Sequence, residues 1–70
     1  MFKTKTRIIY LNRFWEQIYS TKSTTIPRLN EYVFIDGLYH EVISVITEPK
    51  ENRTIIVIEK IDKIMFSEKN

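Results

Sequence analysis

Apolar positions along the chain gather into short blocks, separated by polar or turn-forming residues. Residues 4–12 (TKTRIIYLN) are β-branched and aromatic and read as a first strand. Residues 31–36 (EYVFID) and 38–46 (LYHEVISVI) are two further strands around Asp36-Gly37, the favoured dipeptide of a type I′ hairpin turn. Residues 47–53 (TEPKENR) hold Pro49 and four charges and read as a solvated loop, and residues 54–61 (TIIVIEKI) form a fourth strand. Two segments admit two readings. In residues 13–25, the spacings Phe14/Ile18 and Trp15/Tyr19 suit a short helix capped at Asn12, while the alternation Phe14, Glu16, Ile18 suits a strand. After residue 61, KIMF adds either a fifth short strand or, with Ile58, Ile61 and Ile64 three apart, a helical turn. The expected fold is all-β: one domain over residues 1–70, a small antiparallel barrel of four or five strands with at most one short helical turn.

A two-residue turn at Asp36-Gly37 sets the hairpin register. Ile35 faces Leu38, Phe34 faces Tyr39, Val33 faces His40 and Tyr32 faces Glu41. One face then carries Val33, Ile35, Leu38, His40 and Val42; the other carries Tyr32, Phe34, Tyr39, Glu41 and Ile43. A strand with one wet side alternates apolar and polar residues, and these strands do not. Both faces need cover. The aliphatic face suits the barrel interior. The aromatic face is covered by the segment Arg13–Tyr19, by a second copy, or by a partner.

Composition narrows the field. Seventy residues make a marginal core, and with no cysteine there is no disulfide, thiolate metal site or cysteine nucleophile. The single histidine, His40, leaves no histidine-rich metal site within one chain. The first residues are basic but lack the apolar core of a signal peptide, and no apolar run reaches the ~18 residues of a membrane span. The expectation is a soluble intracellular protein that does not bind membranes. The net charge of +2 decides little, although Lys3, Lys5, Arg7 and Arg13 all precede the first acid, Glu16. Such a strip either guards a strand edge or meets phosphate or an acidic protein.

Residues 26–45 (IPRLNEYVFIDGLYHEVISV) carry a proline leading into Val33, Ile35, Asp36 and Gly37, followed by Val42 and Val45. This pattern resembles that of small Src-homology-3-like barrel proteins of phages and mobile elements. It departs from it at Asn30, where a glycine is usual, and at His40, where an aromatic is usual. The resemblance implies a virion or assembly component, or a binder of a host protein. It carries over no catalytic residue.

Catalysis finds little to work with. His40 and Ser44 are the one nearby base–hydroxyl pair, but four residues along a strand separate them by roughly 13 Å. His40 therefore reads as a semi-buried histidine beside Val33, its nitrogens satisfied by backbone or water. Gly37 is the sole glycine, so there is no phosphate-cradling loop. No enzyme activity, cofactor, metal or small-molecule substrate is inferred. The expected function is protein binding or self-association. Trp15, Tyr32, Phe34 and Tyr39 serve as apolar contacts, with Arg13, Arg28 and Arg53 around them. The alternative is a barrel that binds single-stranded nucleic acid, with the aromatics stacking on bases and the arginines contacting phosphates.

Overall fold

The computed structural model describes residues 4–61. The segment beyond Ile61, where KIMF was expected to form a strand or a helical turn, lies outside the described residues. Five strands form one sheet: β1 (Thr6–Leu11), β2 (Gln17–Ser23), β3 (Tyr32–Ile35), β4 (Leu38–Glu48) and β5 (Arg53–Lys60), in the spatial order β2-β1-β5-β4-β3. The sheet curls into a half-barrel, compatible with a small Src-homology-3-like barrel. Three pairings are antiparallel, but β1 runs parallel to β5, which corrects the all-antiparallel expectation. A parallel pair needs a long crossover, and β2 to β4 supply it.

The two readings of residues 13–25 resolve in favour of a strand. Asn12 caps, as expected, but it closes a hairpin rather than starting a helix. Its Oδ1 accepts the backbone N–H groups of Phe14 (2.9 Å) and Glu16 (3.0 Å), and its Nδ2 donates to Glu16 Oε1 at 2.8 Å. The loop after β4 holds a short 3-10 turn (Pro49–Glu51), stopped by Asn52 in the left-handed conformation. At the β3–β4 turn, Asp36 and Gly37 both have positive φ, as a type I′ turn requires, and the predicted register is the observed one.

Registration sorts the side chains. On the inner face Ile8 and Tyr10 of β1 lie beside Thr54 and Ile56 of β5, and Ile58 lies beside Val42 of β4. These apolar residues and Ile35 form the core, with Val33 packed against it. The aliphatic face thus turns inward, apart from Leu38, which stays exposed at the rim. As the central strand, β5 is the most buried: Thr54, Ile56, Val57 and Ile58 are all buried. Its apolar residues on both faces follow from that position. The register of β4 against β5 shifts by one residue at Ile43, so Val42 pairs with Ile58 while Ser44 pairs with Val57. Beyond this bulge Ser44 faces the opposite side of the sheet from His40, which separates that pair more completely than distance does.

Candidate functional site

The aromatic hairpin face forms as registered. Phe34 and Tyr39 stand opposite each other across β3 and β4, ring centroids 4.7 Å apart and tilted by 53°. Such a pair adds about 0.5–1.5 kcal/mol beyond its area. Tyr32 is 52% exposed and Phe34 61% exposed. The Arg13–Tyr19 segment does not cover them among the described residues, because β2 and β3 occupy opposite edges of the sheet. The curl instead turns the β1–β2 turn and the start of β2 toward β4 and β5. There Phe14 and Ile18 approach Leu38 and His40 around a cavity of about 460 Å³.

The other expected site residues do not assemble into one patch. Trp15 sits in the β1–β2 turn, 61% exposed, with φ +67, a left-handed conformation unusual for a bulky side chain. Arg13 crosses from that turn to β5, where Nη1 donates to Glu59 Oε2 at 3.0 Å; its guanidinium also lies 5.7 Å from the Phe14 ring centre. Glu59 pairs in register with Glu41, which in turn pairs with Tyr32, so Arg13 relieves a like-charge contact beside the aromatic face. Arg28 lies in the turn before β3, its backbone N–H bonded to Glu31 Oε1 at 2.9 Å. Arg53 stands at the far end of the sheet. Its partner Glu48 is nine positions along β4 from Tyr39, a span of roughly 25–30 Å. The Arg53 side chain donates to Glu48, and this hydrogen bond, then Glu48's charge, raises its pKa above the usual arginine value. Lys22, Arg7 and Arg53 stand side by side across β2, β1 and β5, a basic row at this end.

Two buried polar atoms escaped sequence reasoning. His40 is 5% exposed beside Val33, as expected, and its Nδ1 meets no hydrogen-bond partner from the protein among the described residues. Thr54 Oγ1 is similarly buried and unpartnered. The available signal was a lone histidine on an otherwise aliphatic hairpin face. Tyr10 packs against Tyr19 with centroids 5.8 Å apart; burial, then the neighbouring Tyr19, pushes its hydroxyl pKa above the ordinary value.

Among the described residues no helix is long and apolar enough to cross a membrane, and no cluster of three or more metal-ligating side chains occurs. No protein-family model, curated protein or solved structure matches the chain.

Proposed function

We propose that this protein is a non-catalytic binding module that recognises another protein. In the setting its hairpin pattern suggests, that of phages and mobile elements, it acts as a virion or assembly component or as a binder of a host protein. One observation carries the reading: Phe14, Trp15, Tyr32 and Phe34 are all more than half exposed, in a sheet whose edge strands β2 and β3 each pair on one side only among the described residues. Exposed aromatics rimmed by arginine are the usual anchors of protein interfaces. An open strand edge offers main-chain groups to a partner strand. Arg13 sits beside Phe14 as a rim residue, Arg28 precedes the aromatic hairpin in the turn before β3, and Arg53 is paired with Glu48 at the far end of the sheet.

The test is site-specific photo-cross-linking from positions 34 and 15, with exposed Ser20 on β2 as a control position. Support is one protein cross-linked from 34 or 15 and absent from the Ser20 control, with the cross-link from 15 lost on Phe34→Ala with Tyr39→Ala in a variant whose circular dichroism is unchanged. Equal cross-linking from Ser20 sinks the reading. So does unfolding of the double variant, which would make the aromatic face part of the core. The nucleic-acid alternative draws on the row Lys22, Arg7, Arg53. Its signature is a salt-sensitive shift in elution volume with a short oligonucleotide.

A further inference from the structure

We infer that the outer face of the sheet pairs with the outer face of a second copy of this chain, in a two-fold dimer whose charges select the direction of the axis. The starting observation is the central strand. β5 carries Ile56 and Ile58 on the inner face and Ile55 and Val57 on the outer one, where no second layer of strands or helices lies among the described residues. A strand with one wet side alternates apolar and polar residues, and β5 does not. The register extends the outer apolar surface sideways. Ile9 and Ile46 flank Ile55, and Leu11 lies beside Val57. Ile9, Leu11, Ile46 and Ile55 are only half-buried by their neighbours in the sheet, so a second layer has apolar area left to cover.

These two aliphatic rows lie between rows of opposite charge. Lys22, Arg7 and Arg53 stand side by side at one end, and Glu48 closes that row. Glu59 and Glu41 stand side by side at the other end. Arg53 pairs with Glu48 and Arg13 with Glu59, while Arg7, Lys22 and Glu41 form no ion pair among the described residues. Positive charge is therefore in excess at the first end and negative charge at the second. Successive rows are roughly 7 Å apart, so basic, aliphatic, aliphatic and acidic rows follow one another evenly over about 20 Å. A two-fold axis between the aliphatic rows, in the interface plane and across the strands, lays aliphatic on aliphatic and each basic row on an acidic one. An axis along the strands lays like charge on like. The surface is thus complementary to itself in one orientation. Four strands about 4.8 Å apart give these rows a footprint of roughly 400 Å² of flat sheet, against ~800 Å² per partner in a standard interface. The curl also makes this face convex, so the dimer is weak and reversible. Phe34 and Tyr39 lie beyond the acidic row, and the inference does not rest on the protein-binding reading.

The experiment is sedimentation equilibrium of the full chain across a range of concentrations, at low and high salt. A monomer–dimer equilibrium is expected, weakened several-fold by salt as the row-to-row charges are screened. Ile55→Thr keeps the β-branched shape and should weaken the dimer by about tenfold, since the change is made once in each copy. Charge reversal tests the orientation. Arg7→Glu and Glu41→Lys should each weaken self-association by about tenfold at low salt, whereas an equimolar mixture of the two variants should associate as the parent does. Circular dichroism identical to the parent's accompanies each variant. A chain that stays monomeric at every concentration overturns the inference, whatever else covers the face. So does a dimer that Arg7→Glu strengthens or leaves unchanged, or a mixture that fails to recover. Salt-sensitive binding of a short oligonucleotide by a monomeric chain would assign the basic row to phosphate instead. The concentration and salt series on the parent needs no variant, so an unstable substitution does not remove the test. Neither outcome touches the cross-links from positions 34 and 15 to another protein, so the two readings fail separately.

Discussion

Replacing His40 by leucine puts the account of the core to a direct thermodynamic test. The imidazole is 5% exposed, packed beside Val33 and close to Val42, and its Nδ1 has no partner. An unsatisfied buried polar atom costs about 1–3 kcal/mol, and leucine removes it at similar volume. The strand and its register tolerate the change, because Leu38, two residues away on the same face, already occupies a β position. We therefore expect His40→Leu to be more stable than the parent by about 1–2 kcal/mol. For a domain of this size that raises Tm by roughly 4–8 °C per kcal/mol. Urea denaturation followed by far-UV circular dichroism measures it, with an unchanged m-value showing that the same surface unfolds. Thr54→Val is the companion: it keeps the β-branched shape and deletes the other unpartnered oxygen, Thr54 Oγ1. It should also stabilise, by about 1 kcal/mol. A fall in the midpoint of His40→Leu would refute the reasoning. It would mean that the imidazole is hydrogen-bonded in solution, most simply to a trapped water, and contributes to stability.

Further expectations concern the turns and the pH response. Gly37→Ala places a Cβ in open space, but at φ +81, so a loss of about 1 kcal/mol in chemical denaturation is expected from conformation alone; no loss would exclude the type I′ turn. Trp15→Asn relieves the left-handed backbone at φ +67 and should raise stability by up to about 1 kcal/mol while weakening cross-linking at the β1–β2 turn. A destabilised Trp15→Asn would show that the indole packs rather than projects. Tyr10 has a raised pKa in the folded state, so its stabilising contribution is full below the unfolded value of about 10 and is lost as pH rises through the folded value. Denaturation midpoints should therefore fall more steeply above about pH 10 in the parent than in Tyr10→Phe; identical profiles would contradict the assignment.

What could be read from the residues was local, and what could not was pairing at a distance. Asp36-Gly37 set a turn type and four cross-strand pairs, and all appear. The inward aliphatic face followed from the same alternation. Nothing in β1 or β5 marks them as parallel neighbours, since two apolar strands carry no record of each other's direction. The bulge at Ile43 did leave a trace. In HEVISVITE the apolar pairs Val42-Ile43 and Val45-Ile46 flank Ser44, a break in alternation that a one-residue register shift explains. The candidate site divided for a related reason. Arg53 reads in the sequence as a residue around the aromatics, yet it stands at the far end of the sheet, where Glu48 holds it.

The positions least explained by folding are concentrated around the β1–β2 turn and the cavity beside it. Trp15 keeps a backbone conformation that asparagine or glycine would adopt more cheaply, and it exposes its indole. Phe14 beside it is 73% exposed, and Leu38 across the cavity stays at the rim although His40 and Val42 on the same face of its strand are buried. His40 is buried without a partner for Nδ1. Each is a local departure from what stability alone favours, and together they surround one cavity and one turn. Such departures in natural proteins collect at functional sites, because substitutions that relieve them cost function. The half-barrel is expected to be more stable with leucine at 40 and asparagine at 15, and under the proposed binding role Trp15→Asn also binds a partner more weakly. Pairing stability with binding in the same two variants therefore separates architecture from function. A gain in both at either position would leave that residue without a binding role.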